Sequence, residues 1–443
     1  MTRRALPILL AGLACFVLYA YPGMMSIDSV DQLREARAGF YTDAHPPAMA
    51  ALWRVLDAIV AGPFLMLLLQ GITFLLGCYL VLVTALAPRK AAIVASVVLL
   101  VPPVITTMGF IWKDSVMAGT LVLGAGLLVS ADRRVRAASL VCFTVATAVK
   151  YNAFAATLPL IVVMFEWRPR RRLVRYAIAT ATWLGVTLAA TGINAALTDQ
   201  PMHFWHSSLA VTDIAGVINY EGTMTDAELR RDLEGTELRI THRIQSHTRK
   251  LYATHQGLKL VLGKYRMWDL PSSGTVPAPV AQRDAIEAAW WRMVREHPSA
   301  YLRHRVTYFL DVLGITRRSE DLQDQAPPIM LERLDVPAPF VGQDRWQQFN
   351  NWYWQHTPVF WPWIYITMAL VLLWVGRRQR LVVALLASGL VVEASLFLLA
   401  PSGDHRYSHW TIVVTILAAV ILAARRGKDH AARPDLDTAR SPV

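Results

Sequence analysis

Apolar runs of 16 to 24 residues recur between Ala5 and Ala424, each close to the roughly 20 residues a helix needs to cross a bilayer core. That feature constrains everything else. Inside hydrocarbon every backbone N–H and C=O must be satisfied within its own segment or within a closed barrel, and apolar runs of this length are helices. Composition agrees, because only 17% of residues are charged, against about 25% in soluble domains. A soluble globular fold is excluded. The pattern predicts an all-α polytopic membrane protein with about 8 full spans, at 5–22, 64–86, 91–108, 115–131, 173–196, 358–375, 381–400 and 409–424. Two shorter apolar pieces, 137–149 and 153–166, would each cover only ~20 Å of a ~30 Å core, which predicts a short helical hairpin entering and leaving on one side.

The formal charge of +12 raises the question of a nucleic-acid partner. Its location answers that question. Of 44 Lys and Arg and 32 Asp and Glu, the segment from Thr198 to His356 holds 18 and 19, so the membrane-flanking remainder carries the whole excess. With the hairpin in place, eighteen basic residues fall on one face: Arg3, Arg4, Arg89, Lys90, Arg133, Arg134, Arg136, Arg168, Arg170, Arg171, Arg172, Arg175, Arg377, Arg378, Arg380, Arg425, Arg426 and Lys428. The opposite short loops hold five, Arg34, Arg37, Arg54, Lys113 and Arg406. This asymmetry is a positive-inside signature and not a nucleic-acid surface. It predicts a multi-pass protein of the cytoplasmic membrane with both termini inside. The divisions that follow are an N-terminal transmembrane module, 1–197, with a first external loop at 23–62, an extracytoplasmic domain, 198–357, C-terminal spans, 358–426, and a tail, 427–443, expected to be disordered. A mainly helical cap is expected outside. Its amphipathic stretch from Asp284 to Leu313 breaks at His297-Pro298, residues 225–262 also read as helix, and a Pro/Gly/Ser linker runs from Pro271 to Pro279.

Several chemistries are unsupported. Cys15, Cys78 and Cys142 all lie inside apolar runs, so neither a loop disulfide nor a zinc cluster is available. His203, His206, His242 and His247 form no metal motif. No metal site is predicted and no cofactor is required, although a divalent cation is compatible with the reaction considered below. The aromatic crowd from Trp346 to Tyr365 reads as an interfacial belt.

Polar groups gather where the runs meet the outer face. In the first external loop Ser29, with Gln32 three residues on, has capping-box spacing, which predicts a helix start there with Asp28 just ahead of it. Asp28 is readable as a helix-start charge or as a functional carboxylate. Asp31 would sit in the first turn, where the helix dipole already accounts for it. Asp43-Ala44-His45-Pro46-Pro47 is readable as a turn leading into a helix from about Ala48 to Ala61. Further on come Trp112-Lys113-Asp114, Lys150-Tyr151-Asn152 at the hairpin tip, Glu393, and Asp404-His405-Arg406-Tyr407. Ionisable groups in or near hydrocarbon are costly unless paired, so each is a candidate functional residue; Lys150 also admits pairing with Glu393.

In this order the elements resemble the GT-C superfamily of polyprenyl-phosphate-dependent glycosyltransferases, which includes the protein O-mannosyltransferases, with a similar His-Pro-Pro, and the lipid A aminoarabinose transferases. Lys150-Tyr151-Asn152 resembles the Lys-containing turn such enzymes place near the donor phosphate. His297-Pro298-Ser299-Ala300-Tyr301-Leu302 and Asp404-His405-Arg406-Tyr407 are similar to elements before and at the start of the later spans of bacterial members. Ser29 stands where the mannosyltransferases carry the second residue of an Asp-Glu pair. The resemblance implies a GT-C-like helical bundle, a polyprenyl-phosphate sugar donor, a lipid, glycan or protein acceptor, and membrane lipids as neighbours. It implies Asp28, Asp43 and His45 as catalytic residues, with Lys150 and Arg406 on the donor phosphate. Asp31, Lys113, Asp114, Asn152, Glu393, Asp404 and Tyr407 would support them. A transporter or flippase of a lipid-linked or anionic saccharide is the alternative, and a non-catalytic envelope scaffold is a third reading.

Overall fold

The computed structural model describes residues 3–165, 172–240, 242–254, 257–261, 264–270, 276–316 and 325–431. Arg168, Arg170 and Arg171 of the basic cluster, residues 271–275 of the expected linker and the tail from 432 onward lie outside these residues. Among the described residues the chain is helical, with three isolated β-bridges and no strand. In chain order the first group is α1 (Leu6–Ala20), α2 (Ile27–Ala38), α3 (Pro47–Asp57), α4 (Phe64–Leu82), α5 (Pro88–Leu100), α6 (Pro102–Met108), α7 (Lys113–Leu128), α8 (Arg133–Val149), α9 (Ala153–Met164) and α10 (Arg172–Leu197). Next come α11 (Val211–Glu221), α12 (Asp226–Asp232), α13 (Ile244–Leu251), α14 (Val280–Glu296), α15 (Pro298–Val312), α16 (Pro328–Glu332) and α17 (Gln343–His356). The last three are α18 (Pro362–Val375), α19 (Arg380–Leu399) and α20 (His409–Ala431).

Four helical segments are long and apolar enough to cross a membrane: α4, α10, α19 and the stretch His405–Gly427 that contains most of α20. A fifth qualifies if α5 and α6 are one span bent by 71°. Pro102 and Pro103 explain the bend, since a proline cannot continue the hydrogen-bond ladder of the preceding turn. The eight expected runs are all helical, but α1 and α18 have 15 and 14 residues, about 21–22 Å of rise.

The expected hairpin is a helix, a three-residue turn and a second helix, α8 and α9. Its first arm is longer than apolarity alone suggested. α8 starts at Arg133, capped by Asp132, and its 17 residues match the 16 of α7, about 25 Å each. The tip residue Lys150 therefore reaches Asp114 in the first turn of α7. The apolar count missed this because the first turn of α8 is built from arginines.

The segment after α10 has two parts. Helices α11 to α14 and the first turn of α15 enclose a hydrophobic core of their own, centred on Ile214, Ile218, Trp268, Ile286 and Met293. Residues 325–356 instead lean on the membrane bundle: Ala326 N donates to Met25 O (2.8 Å), Arg37 to Leu334 O (2.7 Å) and Asn350 to Tyr19 Oη (3.0 Å). The break at His297-Pro298 is observed between α14 and α15. Residues 225–262 are not one helix; left-handed Gly235, Glu237 and Arg243 interrupt it between α12 and α13. In α17, Asn350 and Trp354 face inward while Trp346, Phe349 and Trp352 are exposed.

Candidate functional site

The site is assembled by a short parallel contact between two loops. Met24 N donates to Gly109 O (3.0 Å), and Ile111 N donates to Met24 O (2.9 Å). Ser29 Oγ donates to Ile111 O (2.9 Å), and the Trp112 indole donates to Ser26 Oγ (2.8 Å). These bonds hold the start of α2 beside the start of α7. Ser26, not Ser29, is the N-cap of α2, in a reciprocal capping box with Ser29. The N-cap thus lies three residues earlier than expected, and Asp28 lies within the first turn, not ahead of it. A serine at the third helical position supplies the box as Glu or Gln usually does, which is why spacing alone misplaced it.

The second wall is the chain between α19 and α20. Glu393 accepts hydrogen bonds from Ser408 Oγ (2.8 Å) and Thr411 Oγ1 (2.9 Å). Glu393 lies six residues before the end of α19, so α20 begins about 9 Å short of that end. The stretch Ala400–Ser408 must descend into the bundle to reach it. Glu393 thereby fastens a helix start and does not pair with Lys150, whose carboxylate partner is Asp114.

At the bottom of this descent Arg406 Nη2 donates to Asp28 Oδ2 (3.1 Å), while Nε lies 2.8 Å from Asp404 Oδ2. The guanidinium sits 4.6 Å from the Trp112 ring centroid and 5.5 Å from that of Tyr407. Lys150 Nζ lies 5.0 Å from the same Tyr407 ring. Beside Asp28, Lys113 Nζ is 2.8 Å from His45 Nδ1. An ammonium has no lone pair, so Nδ1 accepts, and neutral His45 carries its proton on Nε2. Asp28, His45, Lys113, Asp404, Arg406 and Tyr407 are all half-buried, whereas Asp114 and Lys150 are buried behind them.

Electrostatics at the rim follow from this packing. Burial disfavours the Asp28 carboxylate, but Arg406, then His45 and Lys113, more than offset that and hold it well below the usual carboxylate range. For His45, burial and then the Lys113 charge push the imidazole down to about 3, so it is neutral at physiological pH. Arg406 and Lys150 both have carboxylate partners. Lys113 has none within 4.0 Å among the described residues. No protein-family model, curated protein or solved structure matches this chain.

The remaining candidates separate. Asp31 points to solvent and pairs with Arg34 (3.2 Å). Asp43 is a tether: its carboxylate accepts the backbone N–H of Met202, and its carbonyl accepts the Tyr151 hydroxyl (3.2 Å). It joins the first loop to the chain after α10 and does not meet Arg406 or Lys113. Asn152 heads α9, and its side-chain oxygen is buried without a hydrogen bond among the described residues. Among the described residues no group of three or more His, Cys, Asp or Glu has the geometry to hold a metal ion. Trp112, which heads the Trp112-Lys113-Asp114 candidate, supplies both a ring face and an indole N–H. Trp354, which packs 4.7 Å from the His405 ring, was not singled out, because it sits in the aromatic stretch that an interfacial belt already explained.

Proposed function

We propose that the chain is an integral-membrane glycosyltransferase of GT-C type that moves a sugar from a polyprenyl-phosphate donor to a hydroxyl acceptor. The observation carrying this reading is the half-buried cluster in which Asp28 adjoins Arg406 and Lys113 at one end of an apolar helical bundle. A reaction of this kind needs cations where the phosphate departs and a carboxylate where the acceptor attacks. In the proposed reaction the acceptor oxygen forms a bond to the anomeric carbon as the carbon–oxygen bond to phosphate breaks. The electron pair stays with the phosphate. Because Asp28 is held so far below the range of a useful base, its role here is to orient the acceptor hydroxyl and balance charge developing on the sugar ring. The hydroxyl proton then leaves with the phosphate. Lys113, which has no carboxylate partner within 4.0 Å among the described residues, is the leading phosphate ligand, with Arg406 and Lys150 beside it as already-paired cations.

The proposed topology has eight spans, the α8–α9 hairpin entering from the cytoplasmic side, and the cluster at the outer face, following the eighteen-to-five charge asymmetry. The test is mass spectrometry of lipid bound to the purified protein, followed by transfer assays with a polyprenyl-phosphate sugar. The reading expects a polyprenyl phosphate in the purified material, displaced by added donor. Transport of a lipid-linked sugar across vesicles without any transfer to acceptor would replace it with the flippase alternative.

A further inference from the structure

The stretch Ala400–Tyr407 carries Arg406 to Asp28, and the helices outside the bundle hold it at three points. Arg305, buried on α15, donates from Nη1 to Ala400 O (3.2 Å), and its Nη2 lies 2.6 Å from Asp213 Oδ1 on α11. Gly403 N donates to Thr254 O (2.8 Å), and the Thr254 hydroxyl donates to Asp311. Phe309 and Val312 of α15 pack against Leu396, Ala400 and Tyr407. Gly403 is pressed so closely onto α15 that an added Cβ would stand 2.8 Å from Asp311 Cβ. The Asp213 end of this chain of contacts is built into the external core: Asp213 also accepts from His304 Nε2 (2.9 Å) and the Trp290 indole (2.8 Å).

We infer that Arg305 is a positioning residue, tying the external core at Asp213 to Ala400 and so setting where Arg406 and Tyr407 stand over Asp28 and Lys150. A guanidinium suits this because its planar fork reaches two acceptors in fixed directions, which a single ammonium does not. The helices outside the bundle act on the cluster through this tether, without themselves entering it. The use made of Arg406 rests on the glycosyltransferase reading; the tether itself does not.

Two measurements on the full chain in lipid nanodiscs keep those levels apart: hydrogen exchange of peptides covering 400–408, and binding of undecaprenyl phosphate. The variants are Arg305→Lys, which keeps the charge, Gly403→Ala, which pushes the stretch off α15, and Arg303→Ala, an exposed neighbour, as control. Faster exchange across 402–407 is expected in Arg305→Lys and Gly403→Ala, with α11 and α14 still protected. Binding in both should weaken by about tenfold, the scale of one charge-assisted hydrogen bond, and Arg303→Ala should match the parent. If Arg305→Lys also exposes α11 and α14, Gly403→Ala decides the matter alone. Unchanged exchange across 402–407 overturns the tether. Faster exchange with parental affinity overturns the positioning role. Should the parent chain bind no polyprenyl phosphate, the glycosyltransferase reading fails, and the exchange data still decide whether the tether exists.

Discussion

Two clusters in this molecule are built around the same three residue types, Asp, His and Arg, and differ in exposure and in how completely their partners are supplied. In the helices outside the apolar bundle Asp213 is surrounded by His304, Arg305 and the Trp290 indole, and the three ionisable groups are essentially without exposure. In the second cluster Asp28 has Arg406 and, nearby, His45, but all are half-buried, and among the described residues the adjacent Lys113 has no carboxylate partner within 4.0 Å. The first arrangement gives each carboxylate oxygen of Asp213 a donor within the fold. The second leaves its charged groups part-exposed to solvent. Buried carboxylates with a complete set of partners hold structures together, and removing one partner is expensive. Partly open clusters with a spare cation are where a ligand finds its interactions.

The largest effect should come from breaking the closed cluster. Asp213→Ala leaves Arg305 and His304 buried without their carboxylate and should cost about 3–5 kcal/mol. Limited proteolysis and hydrogen exchange should show helices α11 to α15 opening while the membrane bundle stays protected. A stable Asp213→Ala protein would remove the contrast. A smaller effect, on binding only, is expected from Lys113→Met: about 1.5–3 kcal/mol of donor affinity, the range for hydrogen bonds to charged groups, with thermal stability near that of the parent. If Lys113→Met binds donor normally while Lys150→Met does not, the phosphate lies deeper, against the Asp114 pair.

The smallest effect concerns pH. His45 is held at about 3 in the fold against an ordinary value of 6.5. The unfolded chain therefore takes up this proton first, and the contribution of His45 to stability is complete above about 6.5 and is lost as pH falls toward 3. Asp28, also depressed, contributes in the same direction at lower pH. Activity should consequently show no inflection near 6.5 attributable to His45. An inflection there that His45→Gln abolishes would mean the imidazole is protonated at working pH and the Lys113 contact is differently arranged.

Much of this was legible in the sequence, for reasons that differ by level. Apolar run lengths located the bundle helices, and Pro298 marked the break between α14 and α15, because both are local properties of the chain. The same reasoning stopped the first hairpin arm at residue 137, since an arginine-rich turn does not look like part of an apolar helix. The site is a tertiary object. Asp28 and Arg406 are 378 residues apart, and Lys150 and Asp114 are 36 apart. No spacing rule predicts that Lys150 chooses Asp114 over Glu393. Nor does any local pattern reveal that α20 starts well short of the end of α19, which carries Asp404 to Tyr407 down into the bundle. Asp43 stands apart from the other candidates: its neighbourhood in sequence suggests chemistry, and in the fold its carboxylate accepts the backbone N–H of Met202.

On the proposed reading, Asp28 orients the acceptor at a half-buried, charged cluster. Its most direct test is glycosyl transfer at saturating donor by purified Asp28→Asn, with Asp31→Asn as the matched control one turn along the same helix. Asp28→Asn should fold with a lowered melting temperature, since the Arg406 pair is lost, and lose about 10²-fold or more in rate, the scale of a misplaced reactant, while Asp31→Asn stays near parental. Near-parental turnover by Asp28→Asn, in a protein that does transfer sugar, would contradict the account.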